Sequence, residues 1–224
     1  MGADDLTSAT PAPTSGWRSG YWIVLALLVS GYALCAAQAG PDPSPAAFVV
    51  QLVTVAAVLR VTDVRMRFQR VSWVVLAVAG VSAITATALG SGGHALDVIL
   101  SAASMVAFFV APIAIIRHQM MRRGLDVEAL LAAIAAYVLV GMFFTFVYNL
   151  IALLTVDPMF GAGVVDSLSS QLFFSFTALT TTGYGNLVPV APAVQGVAVA
   201  EAITGQLFLI TAVARIIRGS RAPI

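Results

Sequence analysis

The chain has 224 residues, of which 60% are hydrophobic and 9% charged, with a mean hydropathy of +0.97. Soluble domains carry about 25% charged residues, so this composition belongs in a bilayer rather than in water. A net charge of +1 offers no bulk attraction to nucleic acid or to acidic substrates, and the single cysteine, Cys35, has no partner for an internal disulfide.

In chain order, residues 1–20 are small, polar and proline-containing and read as a disordered tail. The "AAQAG" that follows fits a signal-peptidase site. The region before it holds Asp4 and Asp5 against one cation, Arg18, so it reads as an uncut span. A crossing helix needs about 20 largely apolar residues. Six such runs are found, at 21–39, 46–62, 71–90, 96–117, 128–155 and 193–217. Turn-rich breaks separate them: "GPDPSP" at 40–45, "GSGG" at 90–93 and "VDPMFGAG" at 156–163. Cys35 falls inside the first run and reads as a small buried apolar residue. The apolar run 168–179 is too brief to cross and is expected to be re-entrant.

Orientation follows from the cations, all eleven of which are arginine. They fall in the amino tail (Arg18), the 2–3 loop (Arg60, Arg65, Arg67, Arg70), the 4–5 loop (Arg117, Arg122, Arg123) and the carboxy tail (Arg215, Arg218, Arg221). Six spans put all four clusters on one side, which the positive-inside rule makes cytoplasmic, with both termini. The opposite loops hold Asp42, Asp97, Asp157 and Asp166, so 168–186 dips into the membrane from outside.

That dip carries "ALTTTGYGN", Ala178 to Asn186. Irregular backbone at membrane depth is tolerated only inside protein or along a water-filled cavity. There, stacked carbonyls replace the water shell of a cation. Such a strand needs positive φ at alternate positions, which Gly183 and Gly185 supply without steric cost. Thr181 adds a hydroxyl at the inner end, and Tyr184 can turn its ring outward as a brace.

On these residues the chain resembles the tetrameric potassium-channel family. "TTGYGN" (Thr181 to Asn186) is similar to the family's TVGYGD filter, with Thr182 in place of Val or Ile and Asn186 in place of Asp. The likeness covers about 128–217: outer helix, "DSLSSQLFFSFTALT" pore helix, filter and inner helix. It implies an all-α membrane protein of six transmembrane helices, with a re-entrant pore helix and filter loop between the fifth and sixth. Residues 21–123 form a peripheral domain like a voltage sensor, and 124–224 the pore domain. It further implies K⁺ bound by the backbone oxygens of Thr181, Thr182, Gly183 and Tyr184, with Gly185 completing the filter. Phe173 and Phe174 are expected to pack on the filter tyrosine, with Thr177, Thr180 and Asn186 in support. Gly205, twenty residues after Gly185, stands at the family's hinge spacing; the rival reading is a glycine that permits close helix packing. A single filter strand per chain requires a homotetramer in the lipid bilayer, here the plasma membrane.

The fourth span lacks the arginine ladder of a voltage sensor. It has no cation before Arg117, and Pro112 is read as interrupting it. Only nine residues follow Arg215, too few for a regulatory domain, so gating is expected to reside in the membrane part, in lipid or in an unknown partner.

Glu201, an acid inside a predicted span, either lines the cavity and attracts cations or bonds behind the filter to Thr177 or Ser175; the second role is favoured because one helix has one pore-facing stripe. Asp166 or Ser167 is expected to cap the pore helix, whose carboxy end near Thr180 aims its negative dipole at the cavity. His94 is placed in an outer loop and His118 in the basic flank. Asn149 and Gln206 are expected to bond between helices. No nucleophile–base pair, metal cluster or phosphate loop speaks for an enzyme, and no cofactor is expected beyond K⁺ as the permeant ion. The alternatives are a weakly selective cation channel and a non-conducting scaffold or sensor subunit with a pore-like fold.

Overall fold

The computed structural model describes residues 20–40, 45–62, 93–121, 127–161 and 163–219. The amino tail, the predicted third span at 71–90 and Arg65, Arg67 and Arg70 of the 2–3 loop lie outside these residues, while Arg60 falls in the last turn of α2. Six helices are described: α1 (Gly20–Ala36), α2 (Pro45–Val61), α3 (His94–Met121), α4 (Val127–Leu154), α5 (Leu168–Leu179) and α6 (Pro192–Gly219).

By length and composition α3, α4 and α6 are each able to cross a membrane, while α1 and α2 are apolar helices of 17 residues. Three long spans are therefore present among the described residues where five of the six predicted runs fall. Two expectations are corrected here. Pro112 does not interrupt its helix, because α3 runs unbroken from His94 to Met121 around it. Inside a packed bundle, neighbouring helices and local adjustments absorb the missing N–H. His94 is the first residue of α3 rather than part of a loop.

Between apolar helices in lipid, hydrophobicity gives little preference for protein over acyl chain, so close packing and internal hydrogen bonds must hold the bundle. One apolar core runs from Tyr21, Val24 and Leu28 of α1 through Phe108 and Ile115 of α3 to Leu131, Leu139 and Phe146 of α4. It ends on Leu168 and Leu172 of α5. Ring stacking of Phe108 on Phe146, centroids 5.7 Å apart, locks α3 to α4. Several polar groups at this depth are satisfied within a helix or between helices. Thr54, Thr62 and Thr145 each donate to the carbonyl four residues back. Ser104 donates to Gln51 Oε1 across α3 and α2 at 2.8 Å, and Gln51 donates in turn to Cys35 Sγ. Buried Cys35 is thus a weak acceptor as well as a packing residue.

The short helix α5 is wedged among α1, α4 and α6. From α1, Tyr32 meets Phe176 edge-on, with ring centroids 5.3 Å apart. The carbonyl of Gly40, just past α1, takes the N–H of Leu168, the first residue of α5. From α4, Gly141 lets the same Phe176 ring lie against bare backbone; a Cβ there would stand 2.7 Å from Phe176 Cζ.

Candidate functional site

Helix α5 has the 12 residues expected of the re-entrant run. Its amino end is closed by Ser167, whose Oγ accepts from Ser170 N at 3.1 Å. The cap is therefore Ser167, and Asp166 does other work: its Oδ2 accepts from Met159 N at 2.8 Å, and its carbonyl accepts from Gln171 Nε2. These bonds tie the loop after α4 to the start of α5.

At the other end Thr180 is the C-cap. Its hydroxyl donates back to Phe176 O at 2.7 Å and lies 2.8 Å from the Thr182 hydroxyl. The carbonyl of Thr177 then takes two donors beyond the helix, Thr182 N at 2.8 Å and Gly183 N at 3.2 Å. The Thr177 hydroxyl donates to Phe174 O within α5. Thr177 thus anchors the following segment with its backbone, not its side chain.

Beyond this anchor the chain has no regular secondary structure, and its residues are exposed through Asn186. Positive φ recurs at every second residue: Thr181 at 55°, Gly183 at 52° and Gly185 at 80°. A backbone that alternates in hand in this way turns successive carbonyls to one side, as a row of cation ligands requires. Glycine adopts these angles freely. Thr181, β-branched, does not, and a residue of that kind at φ near +55° is held there by its surroundings. One holding contact is visible: Gln206 Nε2 of α6 donates to Thr181 Oγ1 at 3.1 Å. Tyr184 is exposed and lies parallel to Phe173, with centroids 5.7 Å apart.

Phe174 departs from expectation. It packs on Tyr148 and Phe160, at 5.2 and 5.0 Å, rather than on Tyr184. Adjacent residues on a helix face different directions, so only one of the pair meets Tyr184. Asn186 is exposed, and Val190 N bonds to Met159 O nearby, closing the outer loops onto each other.

Behind the segment, α6 presents two features to α5. Gly205 is buried against the last turn of α5, and a Cβ there would collide with the Leu179 carbonyl oxygen and come within 3.0 Å of its Cδ1. That carbonyl also accepts from the Tyr137 hydroxyl of α4 at 3.2 Å. The glycine is thus a close-approach point, and α6 runs through it without a break. One turn earlier, Glu201 is fully buried between α4, α5 and α6. Its Oε2 accepts from Tyr148 OH at 2.7 Å, and its Oε1 lies 2.6 Å from Ser175 Oγ, which also reaches Gly141 O at 2.8 Å. Ser175, not Thr177, is the α5 partner of Glu201.

Tyr137, Gly141 and Tyr148 were not singled out by sequence, where Asn149 was the residue of α4 noted for its polarity. Their spacing of 4 and 7 residues places them on one helix face, a signal that two tyrosine hydroxyls in an apolar span could have raised. Asn149 is fully buried on α4. Among the described residues no cluster of His, Cys, Asp or Glu is arranged to hold a metal ion.

No curated protein matches the chain closely enough to be named beside it. Residues 132–219, from the first third of α4 to the last residue of α6, match the family model Ion_trans_2, described as ion channel, and this part of the molecule is similar to an ion-channel pore.

Proposed function

We propose that four copies of this chain assemble in the plasma membrane as a passive potassium channel. Backbone oxygens of Thr181, Thr182, Gly183 and Tyr184 would replace the water of a dehydrated K⁺ ion. The observation that carries this reading is the alternation of positive φ at Thr181, Gly183 and Gly185, behind a capped 12-residue helix and within the ion-channel match. In this reading Ser175, Tyr148 and Glu201 brace the pore helix from behind, and the acid takes no part in attracting cations. Four filter strands need four subunits, and the largely exposed apolar residues of α6, among them Ile203, Leu207 and Ile210, supply contact surface for neighbours. The arginine-bearing ends of α3 and α6 face the cytoplasm.

Full-length protein in liposomes, loaded with K⁺ or with Na⁺, tests the proposal. Barium-sensitive K⁺ flux with little Na⁺ flux is the expected result. Equal flux of the two ions would assign a weakly selective cation channel, and no flux a non-conducting subunit.

A further inference from the structure

A cavity of about 220 Å³ opens between α3, α4 and α6 at the end of the bundle where α3 stops and α4 begins. Its size comes from four alanines on one face of α4: Ala129, Ala132, Ala133 and Ala136. At 1.5 Å per residue they line a slot about 10 Å long. Half-buried Phe208 and, two turns further along α6, exposed Arg215 also line it. Polar groups along the way are already engaged. The Thr211 hydroxyl donates to Leu207 O within its own helix, and the Gln119 side chain donates to Tyr21 OH at 3.3 Å. Arg215 donates to the Gln119 carbonyl in the last turn of α3, which fixes the guanidinium at the rim. That bond uses one of five N–H donors.

The slot is therefore apolar along its length and cationic at one end, which is the complement of an anionic amphiphile. We propose that it binds an anionic phospholipid of the cytoplasmic leaflet, with an acyl chain among the alanines and the phosphate on Arg215. The orientation rests on the topology given under Proposed function. Both requirements converge: a basic rim between transmembrane helices on the cytoplasmic side attracts acidic head groups, and exposed Arg117, next to the slot residue Ile116, adds a second cation on the same end of α3.

Lipid retention by the full-length protein, purified in mild detergent with equal phosphatidylglycerol and phosphatidylcholine and followed by native mass spectrometry, tests this without any need for ion flux. Wild-type protein is expected to keep phosphatidylglycerol about fivefold or more over phosphatidylcholine, since one arginine near an anionic surface is worth roughly that factor. Arg215→Gln should erase the preference, and Arg215→Lys should retain most of it. Ala133→Phe, which fills the slot, should lower retention of both lipids. Equal retention by wild type, or unchanged phosphatidylglycerol binding in both Arg215→Gln and Ala133→Phe, would overturn the proposal. So would cross-linking that seats a neighbouring subunit's helix in the slot. Loss of the lipid preference with K⁺ flux intact would leave the channel reading untouched, and the reverse also holds.

Discussion

The carboxyl of Glu201 and the hydroxyl of Ser175 meet at 2.6 Å, joining the largely exposed 28-residue α6 to the 12-residue α5. Tyr148 completes the arrangement from α4. Three helices that lipid alone would not hold in register are thereby pinned at one point.

Replacing Glu201 by leucine leaves the Tyr148 and Ser175 hydroxyls facing an apolar side chain. An unsatisfied buried partner costs about 1–3 kcal/mol, so Glu201→Leu should lower the melting temperature of the assembled protein clearly. Glu201→Gln should be far milder. An amide can accept from Tyr148 and donate to Ser175, leaving the serine proton for Gly141 O. Thermal unfolding followed by size-exclusion chromatography distinguishes the two variants. Equal loss in both would mean that charge, not bonding geometry, matters here.

Gly205→Ala sets two effects against each other. Alanine gains about 1 kcal/mol in helix propensity, whereas forcing a methyl into a filled space costs typically about 1–3 kcal/mol. The obstacle is a backbone carbonyl that cannot swing away, so the second effect should win. The variant is expected to be less stable and to conduct poorly, with the last turn of α5 displaced. Gly196→Ala, on the same helix with nothing within 4 Å, is the matched comparison and should not lose stability within the subunit.

Gly185→Ala puts a side chain at φ 80°. A left-handed conformation costs an L-residue roughly 1–2 kcal/mol, repeated in each of four subunits under the proposed assembly. K⁺ flux should fall below detection while the protein still purifies as an oligomer. Thr181→Ser keeps the hydroxyl that receives Gln206 and relieves the β-branch, so flux should persist. Loss of flux in Thr181→Ser with normal flux in Gly185→Ala would contradict the conduction reading.

Tyr32→Ala removes the edge-on contact with Phe176, a pair worth about 0.5–1.5 kcal/mol beyond its buried area. Lower thermal stability is expected although Tyr32 lies far from α5 in sequence. Tyr32→Phe should restore it, because the contact uses the ring rather than the hydroxyl.

Much of this arrangement was legible from residue order. The apolar runs gave α4 to within a residue at each end, and the short run 168–179 coincides with α5. Glycine spacing pointed to an alternating backbone, and the acid Glu201 in an apolar run pointed to a bond with Thr177 or Ser175, of which Ser175 makes it. Three things were not legible. Pro112 reads as a helix breaker because the penalty it carries is local, whereas the compensation comes from packing. Positive φ at Thr181 runs against its own propensity and is imposed by its neighbours, so no rule applied to Thr181 alone would find it. Tyr137 and Tyr148 act through partners 42 and 53 residues away, and sequence distance hides such pairs.

The hydrogen bond from Leu168 N to Gly40 O links the carboxy end of α1 to a helix that starts more than a hundred positions later. Swapping the leading helices for those of a relative would therefore trade away a foundation of α5, not merely an attachment. Chimeras joined between α3 and α4 should fold only when the donor's turn after α1 travels with a compatible α5, so the two halves of this chain are expected to change together over evolutionary time.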